Sequence, residues 1–261
     1  MNKETDRSFD GIAAKFQRNI YQSSKGAIRQ HVLLRDLTTL PVLQSQCQVL
    51  DVGAGQGQLS LALAKMGHHV HLTDISAEML AIAAEAAAAQ GLAVSGPAAQ
   101  LRFSKLSLAE LSRQTQQQYP LVLCHAMLEW LAQPDAALNQ LYQLVAPGGV
   151  LSLMYYNKDA KRLSNILYGN FDYVAADFKV KKKVSLSPQN PLEPVMVEQW
   201  YQQAGFSLLS KTGVRCFHDY LQNRSMQQSH FAQLLELELQ YNRQEPYASL
   251  GRYTHLMLTR R

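Results

Sequence analysis

Hydrophobic positions along the chain alternate between the spacing of a strand and that of a helix. Residues 48–52 and 69–74 are short β-rich runs, and each is followed by a helical stretch. Leu59, Ala62, Leu63 and Met66 recur at three- and four-residue intervals, which indicates a helix. Further strands are predicted at residues 101–104, 120–125, 150–156, 206–216 and 253–259. This alternation predicts a parallel sheet with helices on both faces.

The two ends of the chain depart from this rhythm. Ile12, Phe16 and Ile20 recur four residues apart, so the first 40 residues are predicted to be helical as far as Pro41. The last two strands lack a long helical separation of the earlier kind, which predicts an antiparallel edge. We expect one domain over residues 1–261, in four parts: a helical cap at 1–40, a cofactor-binding core at 46–156, a lysine-rich lid insertion at 157–191, and the rest of the sheet at 192–261.

Composition narrows the class of protein. The 261 residues carry a formal charge of +5, which favours an anionic partner such as nucleic acid. Three widely spaced cysteines without a C-x-x-C pair argue against a disulfide scaffold or a zinc site. The sequence shows no signal peptide and no apolar run of membrane-spanning length. We therefore expect a cytoplasmic protein with neither a metal nor a membrane partner.

A glycine-rich turn follows the first strand. Gly53, Gly55 and Gly57 stand in the sequence DVGAGQG, where glycine permits a sharp bend and a close approach of backbone to a ligand. A dinucleotide fingerprint would require glycine at Gln58, and a phosphate-binding P-loop would require a Gly-Lys-Ser/Thr ending. Both of these motifs are absent.

Asp74 ends the second strand, about 20 residues after the turn. In nucleoside-binding α/β folds, a carboxylate at this position accepts hydrogen bonds from ribose hydroxyls. An ionised carboxylate has only acceptors, and its charge strengthens each bond.

Four pieces of the chain resemble motifs of the class I S-adenosylmethionine-dependent methyltransferases: DVGAGQG, LTDIS around Asp74, LSLAE at residues 106–110, and PGGVL at residues 147–151. The resemblance implies a Rossmann-like, doubly wound α/β fold with a seven-stranded, mostly parallel sheet. It also implies S-adenosylmethionine as the cofactor.

Longer stretches resemble bacterial tRNA methyltransferases that esterify the carboxylate of wobble 5-carboxymethoxyuridine. They include HAMLEW at 125–130, LMYYN at 153–157, KTGVRCFHDYL at 211–221 and YNRQEPYASLGRYTH at 241–255. That family has a triple glycine in its first loop, whereas this chain has Ala54 in the middle. Alanine permits the turn if the residue does not need a positive φ.

The resemblance implies a set of cofactor contacts. They are Arg29, Gly53, Ala54, Gly55, Asp74, Leu108, Ala109 and His125. Arg29 would pair with the carboxylate of the methionine moiety, and a guanidinium suits two planar oxygens. Leu108 and Ala109 would line the adenine, while His125 would face the cleft from the end of the fourth strand. Glu129 and Trp130 are expected to serve packing.

A carboxylate acceptor is already anionic at pH 7, so it needs no general base. We therefore expect no catalytic residue in the strict sense: the protein would align the reacting atoms and exclude water. Lys25 and Arg215 are the candidate cations for the substrate carboxylate, with Tyr155, Tyr156 and Asn157 as neutral donors.

A run of lysines is the candidate contact for tRNA phosphates. It comprises Lys179, Lys181, Lys182 and Lys183, with Lys161 and Arg162 nearby. Tyr168, Phe171 and Tyr173 are candidates for stacking on anticodon bases. Three alternatives remain open at this point: a solvated lysine loop, a small-molecule acceptor, and a protein that binds the cofactor without turnover.

Overall fold

A computed structural model describes residues 10–11, 23–96, 99–179 and 190–261 of the chain. Seven strands form one sheet in the order β3-β2-β1-β4-β5-β7-β6. The strands are β1 Gln48–Val52, β2 His69–Asp74, β3 Leu101–Lys105, β4 Tyr119–His125, β5 Val145–Tyr156, β6 Phe206–Val214 and β7 Tyr253–Arg260. β1 to β5 run parallel, and β7 lies antiparallel to both β5 and β6. This arrangement confirms the predicted fold class and the antiparallel edge.

The helices of the described residues are α1 Ser24–Thr38, α2 Gln58–Lys65, α3 Ala77–Ala89, α4 Leu108–Gln114, α5 Pro134–Leu144, α6 Lys158–Leu167, α7 Phe171–Ala175, α8 Pro194–Gln203, α9 Met226–Ser229, α10 Phe231–Tyr241 and α11 Tyr247–Leu250. None of them is long and apolar enough to cross a bilayer. The predicted N-terminal periodicity at Ile12, Phe16 and Ile20 lies outside the described residues.

Local sequence accounts for several helix starts. Ser76 accepts a hydrogen bond from the backbone of Met79 and so caps α3. Ser107 and Glu110 form a reciprocal capping box at the start of α4. The side chain of Asn157 caps α6 by accepting from two backbone N–H groups. Each cap lies just after a strand, so the caps fix how the chain leaves the sheet.

Two apolar layers enclose the sheet. On one face, Ile28, Val32 and Leu37 of α1 pack with β-strand residues such as Leu123 and Met154. On the other face, Leu138 and Leu141 of α5 pack with strand residues including Leu153. Because α1 belongs to the first layer, its polar side chains are held beside the carboxyl ends of β1 and β4.

The segment after β5 is partly helical. Residues 158–175 form α6 and α7, and residues 180–189, which include Lys181, Lys182 and Lys183, lie outside the described residues.

Candidate functional site

The glycine turn joins β1 to α2. Gly53, Gly55 and Gly57 have φ values of 67°, 56° and 67°, in the left-handed region that favours glycine. Ala54 is not among the described non-glycine residues with positive φ, and its N–H donates to the Thr73 carbonyl at 3.0 Å. The expectation that alanine permits this turn is confirmed.

Asp74 is clamped by backbone at the end of β2. Its two carboxylate oxygens accept hydrogen bonds of 2.8 Å each from the N–H groups of Gly55 and Ser76. Burial raises the pKa of this carboxyl, which is 8 % exposed. A carboxylate offers about four lone-pair sites, more than these backbone groups occupy, so Asp74 can still accept from a ribose hydroxyl.

A first cavity opens beside Asp74. Leu108 lines it as predicted, together with Leu106 and Ser107. Ala109, the next residue of α4, is exposed and is not part of this lining. Of the two residues predicted to line the adenine, only Leu108 therefore faces this cavity.

Residues after β4 complete the first cavity and were not predicted from the sequence. Ala126, Met127, Trp130 and Leu131 all line it. Ala126 has a positive φ of 56°, and a Cβ on Gly53 would lie 2.8 Å from the Met127 sulfur. Trp130 was expected only to pack, yet it forms part of this wall. The one available signal was their position immediately after a strand of a parallel sheet, where ligands bind.

A second cavity shares Gly53 with the first. Arg29, Gly53, Ala54 and His125 line it, so four of the predicted cofactor residues share this space. The Arg29 guanidinium lies 4.9 Å from the centre of the Tyr253 ring. Arg29 takes part in none of the ion pairs formed among the described residues, so its charge is available to an anion.

Asp51 is a further acid in the second cavity. It is 5 % exposed and accepts a hydrogen bond of 2.5 Å from the Ser60 hydroxyl. Burial raises the pKa of Asp51 to about 7, and the charge of Asp74 adds to the shift. The sequence marks Asp51 only as part of the turn motif. Asp51 shares this cavity with Arg29 because α1 packs against the sheet.

A cluster of cations lies next to the second cavity, around Tyr253. The Arg215 guanidinium is 5.8 Å from the centre of that ring, on a residue with a positive φ of 64°. Arg215 pairs with Asp219, while its buried Nε has no partner in the described part of the chain. Lys25 is half-buried, and its pKa is lowered by burial first and then by the charge of Arg215. The structure thus brings the two predicted carboxylate-binding cations together.

The neutral donors predicted beside these cations are differently placed. Tyr156 lies under the Arg252 guanidinium, 4.8 Å from ring centre to charge, so it belongs to the cluster. Asn157 is fully buried and donates to the Ser249 and Gly251 carbonyls and to Thr254. Because its carbonyl oxygen caps α6, no polar atom of Asn157 is left for substrate. Tyr155 is buried in the second apolar layer. Asn157 and Tyr155 therefore have no free donor to offer a substrate carboxylate, contrary to the prediction.

The basic residues of α6 are engaged within the fold. Arg162 pairs with Asp159 and Glu193. Lys161 is buried against Phe178, with its ammonium 4.4 Å from the ring centre, and burial lowers its pKa to about 8. Neither residue is free to bind RNA phosphates, whereas Lys179 is exposed.

Comparisons with known proteins agree with this geometry. A family model described as a methyltransferase domain matches residues 50–151. Over 253 residues, the chain is 43 % identical to the tRNA 5-carboxymethoxyuridine methyltransferase of Escherichia coli (strain K12), covering 96 % of this chain and 95 % of the relative. The chain belongs to the tRNA 5-carboxymethoxyuridine methyltransferase family.

More distant relatives share parts of the chain or the fold alone. The ubiquinone biosynthesis O-methyltransferase of Aeromonas salmonicida (strain A449) is 32 % identical over 122 residues, which cover 47 % of this chain and 48 % of the relative. Among solved structures, magnesium protoporphyrin IX methyltransferase from Synechocystis PCC 6803 with bound SAH has a TM-score of 0.63 at 18 % identity. That match covers 97 % of this chain and 96 % of the other. It shows that this member of the tRNA 5-carboxymethoxyuridine methyltransferase family has a class I methyltransferase fold.

The side chains at this site fit an adenosylated methionine in their chemistry. Asp74 has acceptor oxygens beside one cavity, and the other is lined by Arg29, a cation, and by Asp51, an acid whose pKa is about 7. No group of three or more potential metal ligands occurs within residues 10–11, 23–96, 99–179 and 190–261.

Proposed function

We propose that this protein uses S-adenosylmethionine to methylate the carboxylate of wobble 5-carboxymethoxyuridine in tRNA, giving the methyl ester. The observation that carries the proposal is the pair of cavities joined at Gly53, with the cations around Tyr253 beside the second cavity. Membership of the tRNA 5-carboxymethoxyuridine methyltransferase family over nearly the whole chain supports the substrate.

Each cavity would bind a different part of the cofactor: the first the adenosine, and the second the methionine moiety. Asp74 would accept from the ribose hydroxyls, with Leu106, Leu108 and Trp130 around the adenine. Arg29 would pair with the methionine carboxylate, and Asp51 with the ammonium. When bound, S-adenosylmethionine supplies a methyl group made electrophilic by its sulfonium charge.

Arg215 and Lys25 would hold the acceptor carboxylate. The unpartnered Nε of Arg215 is a buried donor, which is costly to leave unsatisfied and so favours an anionic ligand at this point. The left-handed backbone of Arg215 is the kind of local strain that clusters at ligand sites. The acceptor oxygen needs no proton removed, so these side chains act by orientation and by excluding water.

The tRNA would approach along α6 and α7. Tyr168 and Phe171 are exposed there, at 48 % and 64 %, and Leu167 adds apolar surface. Lys179 adds an exposed charge, and Lys181, Lys182 and Lys183 follow it in sequence. Aromatic side chains beside basic residues suit a single-stranded anticodon loop. Residues 157–191 would thus act as a lid within one methyltransferase domain, and a tRNA substrate implies a cytoplasmic location.

The direct test is methylation of tRNA from cells lacking this protein, using radiolabelled cofactor. We expect label in the wobble nucleoside that mild base removes, because a methyl ester is base-labile and a ring methyl is not. Label on a quinol precursor but not on tRNA would favour the small-molecule alternative.

Arg215→Ala tests the carboxylate site. We expect the KM for tRNA to rise or kcat to fall by about 10- to 100-fold, since a hydrogen bond to a charged group contributes about 1.5–3 kcal/mol. Arg113→Ala is the matched control, since Arg113 is exposed and contacts only a backbone carbonyl of its own helix. Equal activity of the two variants would remove Arg215 from the proposed site.

A further inference from the structure

A continuous chain of hydrogen bonds runs from the second cavity through the sheet to α1. His125 Nε2 lies 2.9 Å from the Ser152 hydroxyl, which lies 2.7 Å from His255 Nε2. His255 Nδ1 lies 2.8 Å from Asp36 Oδ2. Ser152, His255 and Asp36 are each at most 1 % exposed, so water does not compete for these bonds.

The far end of the chain carries a fixed negative charge. Arg35 and Arg243 both donate to Asp36 Oδ1 at 2.7 Å. Burial alone would raise the pKa of Asp36, but the hydrogen bond with His255, together with the charge and hydrogen bond of Arg35, holds it below its usual value. Asp36 is therefore an acceptor only.

The directions of the hydrogen bonds are set from the Asp36 end of the chain. An ionised Asp36 requires a proton on His255 Nδ1. When Nδ1 carries the only proton of the His255 ring, Nε2 accepts from the Ser152 hydroxyl. The Ser152 oxygen then accepts from His125 Nε2–H, so the lone pair of His125 stands on Nδ1.

His125 itself faces the cofactor cavity. Burial, with the charge of Arg29, lowers the pKa of His125 well below its ordinary value, so the ring is neutral at pH 7. Nδ1 has no hydrogen-bond partner among the residues that the structure describes. A neutral ring with a free acceptor nitrogen suits an ammonium group.

We propose that Ser152, His255 and Asp36 are positioning residues that hold His125 as its Nε2–H tautomer, with Nδ1 offered to the ammonium of the methionine moiety. This inference rests on the proposed use of S-adenosylmethionine. Ser152, His255 and Asp36 would affect cofactor binding through His125, without lining the cavity themselves.

The test reads the tautomer directly, by NMR of protein with ¹⁵N-labelled histidine, with His125→Asn to assign the signals. In the wild type, we expect a protonated Nε2 and an unprotonated Nδ1. Ser152→Ala and His255→Leu remove links of the chain, so His125 should populate both tautomers. His255→Gln keeps a donor and an acceptor and should restore the wild-type signals. His31→Gln, an exposed change on α1, is the control.

Binding of S-adenosylhomocysteine, measured by calorimetry, gives the functional readout. We expect about 3- to 10-fold weaker binding in Ser152→Ala and His255→Leu, the range of one hydrogen bond, and near-normal binding in His255→Gln. At saturating cofactor, kcat should stay close to that of the wild type.

Two results would overturn the proposal. One is an unchanged His125 tautomer and unchanged affinity in folded Ser152→Ala, a small change that keeps the test valid if His255→Leu does not fold. The other is a fall in kcat with normal affinity, which would indicate proton transfer. The NMR readout needs no tRNA, so its failure is distinct from failure of the wild-type enzyme to form the ester.

Discussion

The backbone N–H of Gly55 donates a 2.8 Å hydrogen bond to Asp74 Oδ2, and this bond ties the glycine turn of β1 to the end of β2. The Gly55 N–H requires a hydrogen-bond acceptor at Asp74 Oδ2, and the Ser76 N–H requires one at Asp74 Oδ1. The carboxylate that would bind the ribose therefore also fixes the conformation of the turn.

Asp74→Asn should weaken cofactor binding because it replaces one acceptor by a donor that faces a backbone N–H. Hydrogen bonds to charged groups contribute about 1.5–3 kcal/mol, so we expect roughly a 10- to 100-fold rise in the Kd for S-adenosylhomocysteine. Isothermal titration calorimetry measures it. Glu85→Gln, an exposed change on α3, should leave the Kd unchanged. Binding by Asp74→Asn as tight as wild type would contradict a ribose contact here.

Gly53→Ala and Ala54→Gly should differ sharply, because only Gly53 has a positive φ. Alanine at residue 53 costs about 1–2 kcal/mol of left-handed backbone strain. Its Cβ would also lie 2.8 Å from the Met127 sulfur, so cofactor affinity should fall by about 10-fold or more. Ala54→Gly should keep the affinity within about 2-fold and lower the free energy of unfolding by about 0.4–1 kcal/mol, through the entropy of the unfolded chain. Calorimetry measures the change in cofactor affinity, and urea titration measures the change in the free energy of unfolding.

Cofactor binding should release a proton from Asp51 at pH 6. The pKa of Asp51 is about 7 in the free protein, so the carboxyl is mostly protonated at pH 6. An ammonium placed beside it favours the ionised form and lowers its pKa, so binding tightens as pH rises from 6 towards 7. Calorimetry in two buffers of different ionisation enthalpy counts the released protons.

Asp51→Asn is the matched variant for this measurement. It should remove most of the proton release at pH 6, leaving any smaller part that Asp74 contributes. Proton release equal to that of the wild type would show that another group carries the linkage.

Glu129→Gln should stabilise the protein at pH 8. Glu129 is fully buried, and burial raises its pKa to about 7, although backbone N–H groups and the nearby Arg29 charge act to lower it. Because the folded pKa exceeds the unfolded value of 4.5, this group lowers stability as pH rises from about 4.5 to about 7. The amide removes this effect, so the gain should be on the order of 2 kcal/mol at pH 8 and small at pH 5.

Urea titration at both pH values measures this gain. Glu236→Gln, an exposed change on α10, is the control. Subtracting the wild type at each pH cancels the contributions of Asp51 and Asp74, whose pKa values are raised as well. A gain equal at the two pH values would mean that the carboxyl does not titrate in this range.

The local features of the chain were readable from its sequence. The run QVLDV followed by glycines predicted the strand, turn and helix around Gly53. These predictions succeed because hydrophobic periodicity and glycine act over only a few neighbouring residues. The same is true of Asp74, whose place at a strand end follows from spacing alone.

The composition of the site was decided by tertiary structure. Asp51 and Arg29 line one cavity because α1 packs against the sheet, and Asp36 reaches His255 across 219 positions of sequence. Asn157 has an amide that could donate to a substrate, yet this amide donates instead to Ser249 and Thr254, which lie far away in sequence. Burial, charge pairing and hydrogen-bond satisfaction depend on which distant segments meet, so no local pattern specifies them. Only the packed sheet, with α1 against it, settled which polar side chains remain free for a ligand.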